Sequence, residues 1–145
     1  MENEFLLPSV LAGIFTALCV LGMIRRNAQY MRFGLFLFAL LVIVFNAMTL
    51  FSGEGASENG SVELLSIALF VVQAIIAFPK YPEMNFEDAG VQALGLRMAG
   101  IILTINAMSV ALILQIPEMP VLLAIYHGII ALISLLRISM LLKGQ

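Results

Sequence analysis

The chain has 145 residues, of which 62% are hydrophobic and only 11% are charged, and its mean hydropathy is +1.08. A soluble domain is about 45–50% apolar and about 25% charged, so this chain has too few polar residues to cover a water-soluble globule. The net charge of −2 offers no basic surface for nucleic acid. The single cysteine, Cys19, excludes an internal disulfide. We therefore expect one integral membrane domain over residues 1–145.

Five apolar segments are long enough to cross a bilayer, whose hydrocarbon core of about 30 Å needs about 20 helical residues. The predicted spans are 6–24, 33–51, 62–78, 98–116 and 120–142. The third span is the shortest and must stand nearly upright or thin the bilayer. The fourth helix is expected to begin near Phe86, ahead of its membrane-spanning part, with Asn85 as its cap. The pattern predicts an all-α bundle of five transmembrane helices.

All basic residues, but only three of the nine acidic ones (Glu83, Glu87 and Asp88), fall on one side of this five-span arrangement. The side formed by the first and third connections and the C-terminus carries all 7 basic residues, which are Arg25, Arg26, Arg32, Lys80, Arg97, Arg137 and Lys143. The other side has no basic residue and carries Glu2, Glu4, Glu54, Glu58, Glu63 and Glu118. The positive-inside rule then predicts an external N-terminus and a cytoplasmic C-terminus. We expect a bacterial inner membrane or an equivalent organellar membrane.

Two features near the ends of the chain bear on this topology. The acidic start and the arginines that follow the first span are the reverse of a signal peptide, so we expect the first span to be a retained helix. Arg137 falls inside the last span. Long basic side chains reach the membrane surface from such positions, and we expect Arg137 to reach the cytoplasmic interface.

Four polar side chains that are costly in a membrane fall inside the predicted spans: Asn46, Gln73, Asn106 and His127. Such groups usually face other helices. Gln73, Asn106 and His127 each lie on a stripe of small and polar residues spaced three and four apart. Asn106 and His127 are almost equally far from the tight link between the last two helices, which predicts a hydrogen bond between them. We expect the cluster to hold helices together.

His127 and its neighbour Tyr126 are also candidate cofactor-binding residues. One histidine can ligate a chlorophyll or contact a quinone, but it cannot supply both axial ligands of a bis-histidine haem. Lipid, quinone and chlorophyll are therefore the cofactors to consider. The sequence predicts no metal site and no catalytic residues, since it lacks HExxH, GxSxG and a glycine-rich phosphate loop. No carboxylate lies deep in a span, which disfavours an ion-coupled pump.

The sequence favours a non-enzymatic accessory or structural subunit of a larger membrane complex, for example a respiratory or photosynthetic one. Its partners would be the lipid bilayer and larger membrane subunits, against which the small and polar stripes would pack. A small carrier or channel for a neutral or lipid-like solute is the alternative, with the four intramembrane polar residues as its site. A quinone- or pigment-binding subunit that uses His127 comes next. An enzyme acting on lipid ranks last, because no nucleophile–base pair is visible.

Overall fold

The computed structural model describes residues 4–53, 60–79 and 89–144. Regular structure in these residues is α-helical, in five helices. They are α1 (Leu6–Ile24), α2 (Ala28–Ser52), α3 (Ser61–Ile76), α4 (Ala89–Gln115) and α5 (Val121–Leu142). Each helix packs against the next one along the chain, and α1 also packs against α5. The five helices therefore form one bundle, with the first and last helices in contact.

Capping explains where the second helix begins. The first predicted span matches α1, but α2 begins at Ala28 rather than at residue 33. The side-chain oxygen of Asn27 accepts hydrogen bonds from the backbone N–H groups of Gln29, at 3.0 Å, and Tyr30, at 3.2 Å. These bonds satisfy donors that a helix start leaves unpaired. The helix thus begins at its cap and not at the first residue of the apolar run.

The fourth helix is also longer than its predicted span. It begins by Ala89, whereas the predicted span begins at residue 98. Helix formation does not require an apolar sequence, so the helix continues beyond the segment that is long and apolar enough to cross a membrane, Gln92–Gln115. The predicted start near Phe86 and the predicted cap Asn85 lie outside the described residues.

Four of the five helices are long and apolar enough to cross a membrane. They are Leu6–Ile24, Ala28–Ser52, Gln92–Gln115 and Val121–Leu142. α3 is apolar but has only 16 residues. At 1.5 Å per residue it is about 24 Å long, which is less than the hydrocarbon core of a typical bilayer. The long apolar helices support a membrane-embedded protein.

Large apolar side chains cover the surface of the bundle as well as its core, unlike in a soluble bundle. Large apolar side chains are exposed on all five helices, up to 88% for Phe51, whereas Gln73 and Asn106 are completely buried. In water, exposed apolar surface costs about 25 cal/mol per Å². Lipid tails are as apolar as these side chains and remove that cost. The surface is thus suited to a hydrocarbon environment, and the polar groups are enclosed by helices.

The two ends of the bundle differ in charge. We call the end that holds the α1–α2 turn and the C-terminus of α5 the basic end, because it carries Arg25, Arg26 and Lys143. The opposite end holds the start of α1 and the α4–α5 turn, and we call it the acidic end because it carries Glu4 and Glu118. This polarity gives the bundle a direction along its axis.

Helices α1 and α2 approach each other closely at Gly34. A Cβ atom at this position would lie 2.7 Å from the Sγ atom of Cys19 and 2.9 Å from the carbonyl oxygen of Phe15. Cys19 itself is completely buried. Small residues allow this kind of approach between helix backbones in membranes. The only cysteine of the chain is therefore part of a tight helix–helix contact.

Replacing Gly34 with leucine should destabilise the bundle, because the new side chain would overlap α1. We expect Gly34→Leu to lower the free energy of unfolding by about 1–3 kcal/mol. Gly100 is the matched control, since a Cβ atom there would meet nothing within 4 Å. Gly100→Leu should change stability by no more than about 0.5 kcal/mol. Thermal unfolding in detergent measures both, and equal losses would contradict the proposed contact.

Candidate polar site in the bundle core

Asn106 of α4 connects side chains from two other helices. Its Nδ2 donates to Gln73 Oε1 on α3 at 2.8 Å and to the Ile102 carbonyl of its own helix at 2.9 Å. Its Oδ1 lies 3.0 Å from His127 Nδ1 on α5. Gln73 Nε2 donates to the Leu35 carbonyl of α2 at 3.2 Å. One chain of hydrogen bonds thus links four helices, and we call Gln73, Asn106 and His127 the core triad.

The hydrogen-bond partners of Asn106 determine the proton position on His127. The Asn106 amide nitrogen faces two acceptors, Gln73 Oε1 and the Ile102 carbonyl. If the amide were flipped, its oxygen would face both of these acceptors, so the observed orientation is the favourable one. The Asn106 oxygen must then accept, and His127 Nδ1 must donate. In the neutral ring, Nε2 is therefore left as a hydrogen-bond acceptor.

The triad lies in a dry, aromatic environment. His127 is only 5% exposed, and its ring meets those of Phe38 and Phe70 edge-on, at centroid distances of 5.0 and 5.4 Å. Such edge contacts orient a ring in addition to burying it. Because the surroundings cannot replace a lost hydrogen bond, each bond of the triad is costly to break.

The hydrogen bond predicted between Asn106 and His127 is present in the structure. The spacing of the two residues from the α4–α5 turn places them at one level, and the polar stripes of α4 and α5 face each other. Gln73 joins them from α3. Three of the four intramembrane polar residues identified in the sequence are therefore brought together.

Asn46, the fourth of these residues, is not part of the hydrogen-bonded chain. Its Nδ2 donates to the carbonyl of Val42, one turn earlier on its own helix, at 2.8 Å. It is half-buried and lines the same cavity as His127. Asn46 thus belongs to the surroundings of the triad without bonding to it.

Tyr126 points away from the triad. It packs against Gly13 of α1, where a Cβ atom would lie 2.8 Å from the tyrosine hydroxyl oxygen. Adjacent residues on a helix point in directions about 100° apart, and His127 faces α4. Tyr126 and His127 therefore do not face a common ligand site in this structure.

A cavity of about 80 Å³ lies beside the triad, and we call it the core cavity. Its polar wall residues are Asn46, Ser66, Ser109 and His127. The rest of the wall is mainly apolar and includes Phe38. An apolar cavity of about 150 Å³ admits a benzene molecule, so this cavity suits a solute of only a few non-hydrogen atoms. A chlorin or haem macrocycle is far larger.

A wider cavity of about 980 Å³ lies at the acidic end of the bundle, and we call it the acidic vestibule. Three carboxylic acid side chains line it: Glu4, Glu63 and Glu118. Its wall shares residues with the wall of the core cavity, and these are Phe45, Ile116 and Met119. The two cavities are thus neighbours, and together they extend from the acidic end to His127.

The core cavity presents several hydrogen-bonding groups. Asn46 uses one amide proton for Val42, which leaves a second donor and the amide oxygen. The hydroxyl of Ser109 donates to the Ile105 carbonyl at 2.9 Å, so its oxygen is left as an acceptor. Nε2 of neutral His127 is a further acceptor. The wall is therefore suited to a small neutral molecule that both donates and accepts hydrogen bonds.

Sequence reasoning missed the contribution of α2. The Leu35 carbonyl accepts a triad hydrogen bond, and Phe38 packs on the histidine ring. A backbone acceptor has no residue-type signal. The almost uniform apolarity of α2 also hides which of its faces points inward. The only signal for the inward face of α2 was indirect: Gly34 is a small residue on a side of α2 that approaches another helix.

The described parts of the chain contain no group of three His, Cys, Asp or Glu side chains that could hold a metal ion.

Comparison of the chain with protein-family models, curated proteins and solved structures found no match. The fold and the site define an all-helical protein with membrane-spanning character and an enclosed polar core.

A double-mutant cycle measures the bond between Asn106 and His127. Asn106→Leu should lower the free energy of unfolding by about 1–3 kcal/mol, because it leaves buried partners unpaired. The double variant with His127→Leu should lose less free energy of unfolding than the two single variants lose together. The difference, the coupling energy, should be about 0.5–2 kcal/mol. Asn46→Leu is the matched control, since Asn46 bonds only within its own helix. Its coupling to His127→Leu should be near zero. Additive effects at Asn106 and His127 would contradict the triad.

Proposed function

We propose that the protein is a small membrane carrier or channel for a small neutral, hydrogen-bonding solute. The proposal rests on the core cavity, which adjoins the acidic vestibule and ends at the core triad. A structural subunit needs no cavity that presents hydrogen-bonding groups in this way. Asn46, Ser109 and His127 would contact the solute, and the triad would close the path towards the basic end.

All five helices cross the membrane in this proposal, including the short α3. α3 and its flanking residues run beside α2 over most of the bundle. Gly60 lies against Leu50 at one end, and Gln29 of α2 donates to the Pro79 carbonyl at 2.9 Å at the other. The stretch of α2 from Gln29 to Leu50 is about 32 Å long at 1.5 Å per residue, which matches the bilayer core.

The charges support one orientation of the bundle. Cytoplasmic connections are enriched in lysine and arginine, so the basic end would face the cytoplasm and the acidic end the exterior. The N-terminus would then be external and the C-terminus cytoplasmic. The acidic vestibule would open to the exterior. A bacterial inner membrane or an equivalent organellar membrane fits this arrangement.

Labelling of single cysteines in intact cells tests this topology. In a Cys19→Ala background, a membrane-impermeant maleimide should label Ser61→Cys and Glu118→Cys without lysis. It should label Pro79→Cys and Lys143→Cys only after lysis. Labelling of Ser61→Cys and Pro79→Cys from the same side would show that α3 does not cross. Labelling of Pro79→Cys and Lys143→Cys in intact cells, with Ser61→Cys and Glu118→Cys labelled only after lysis, would show the opposite orientation.

The chemistry of the path favours an uncharged solute. The carboxylates of the acidic vestibule disfavour anions. A cation that entered the core cavity would lose its water, and none of the described residues that line the cavity is a carboxylate that could compensate. A neutral molecule avoids both costs and can exchange its water hydrogen bonds for those of Asn46, Ser109 and His127.

The geometry weakens the main argument for an accessory subunit. That hypothesis needed the small and polar stripes to pack against other chains. In the structure, the stripes face inward: Gln73, Asn106, Ser109, His127 and Ser134 are all buried within one chain. The exposed faces are apolar, as contact with lipid alone requires. Membership of a larger complex is therefore the competing hypothesis that a functional test must separate.

A flux assay with a cavity-filling variant tests the proposed function. For at least one of three probes (water, urea or glycerol), proteoliposomes should respond faster than protein-free liposomes to a hyperosmotic shock. They should shrink faster if water permeates, or re-swell faster if urea or glycerol permeates. Ser109→Leu should reduce this flux about tenfold or more, which corresponds to a barrier increase of about 1.4 kcal/mol. The reason is that a leucine at this position would occupy the core cavity.

Thr104→Leu is the control for this assay. Thr104 lies on the same helix as Ser109, but it is exposed and its hydroxyl donates to the Gly100 carbonyl at 2.9 Å. Flux should be unchanged in this variant. Equal rates in protein-free and protein-containing vesicles for all three probes would overturn the proposal and favour the structural subunit. A similar loss in both variants would overturn the route through the core cavity.

A further inference from the structure

A second cavity lies near the basic end of the bundle, between α2, the end of α3, α4 and α5. Its volume is about 70 Å³, and we call it the arginine crevice. Two basic side chains line it, Arg32 of α2 and Arg137 of α5. Small residues from α2, α4 and the C-cap of α3 provide the space, and these are Ala28, Gly95, Ala99 and Ala77. The remaining wall is largely apolar.

Two arginine side chains that line one crevice give it a positive potential. Both side chains are half-buried, and their positive charges repel each other. Arg137 also makes interactions within the protein. A guanidinium carries five N–H donors, so those interactions are compatible with donation into the crevice. The arrangement therefore favours an anion that contacts both side chains.

We propose that the arginine crevice binds the phosphate of an anionic phospholipid headgroup. Guanidinium groups match phosphate geometry and bind it with paired hydrogen bonds. Basic pockets between transmembrane helices on the cytoplasmic side suit anionic headgroups. This site is separate from the core cavity, and the proposal does not depend on transport.

The depth of the two arginines favours a lipid over a free anion. Arg32 is four residues from the start of α2, and Arg137 is five residues from the end of α5. At 1.5 Å per residue, both lie about 6–8 Å inside a helix end, at the depth of a headgroup and its first acyl carbons.

Lipid-dependent thermal stability of the purified protein in detergent tests the site. Phosphatidylglycerol should raise the melting temperature by about 5 °C, because a ligand that binds only the folded state stabilises it. Phosphatidylcholine with the same acyl chains should give a much smaller increase. Arg32→Gln and Arg137→Gln should each lose most of the phosphatidylglycerol effect. Each variant is compared with itself without lipid, so a general loss of stability does not affect the result.

Three further samples complete the experiment. Arg97→Gln is the matched control, because Arg97 is exposed on α4 and does not line the crevice; it should keep the full lipid effect. Arg32→Lys keeps the charge and should retain part of the lipid effect. This variant still tests the site if Arg137→Gln fails to fold. Stabilisation by inorganic phosphate equal to that by phosphatidylglycerol would assign the site to a free anion and overturn the lipid proposal. Equal lipid effects in all variants, or none in the unmodified protein, would also overturn it.

Discussion

The hydrogen bonds of Asn106 are the interaction on which the rest of the bundle depends. In a hydrocarbon environment, contact between apolar side chains gives helices little reason to associate, since lipid tails are equally apolar. Unpaired polar groups are costly there. Asn106 bonds to α3 and α5, and Gln73 extends the connection to α2. Four helices are therefore held in a defined register by groups that have no better partner elsewhere.

Close packing holds α1, the helix that the hydrogen bonds of the triad do not reach. α1 takes no part in the triad, and its position depends on small residues. Gly34 admits Cys19 and the backbone of α1, while Gly13 admits the ring of Tyr126 from α5. Dispersion contacts are weak individually and strong when many atoms meet. α1 thus joins the bundle through shape, whereas α3, α4 and α5 join it through hydrogen bonds. The space left between these contacts forms the core cavity.

Much of the fold follows from composition and spacing. The apolar runs predict five helices, and the bounds of α1 match because it consists almost entirely of its apolar run. The start of α2 differs because Asn27 caps the chain before the apolar run begins. The equal spacing of Asn106 and His127 from the link between the last two helices predicts their hydrogen bond. It does not predict that Asn46 bonds to its own helix, because an amide in a membrane is satisfied equally well by a carbonyl one turn away.

The sequence by itself determined the helical, membrane-spanning character of the chain and the separation of its charges. It did so because hydropathy and helix length are local properties. Only the tertiary structure decided which faces of the helices meet. It directed the polar stripes inward, placed Tyr126 against α1 and His127 against α4, and brought Arg32 and Arg137 to one crevice. Those results depend on how helices distant in sequence pack together, and the spacing within one helix marks its polar face without specifying which helix meets that face.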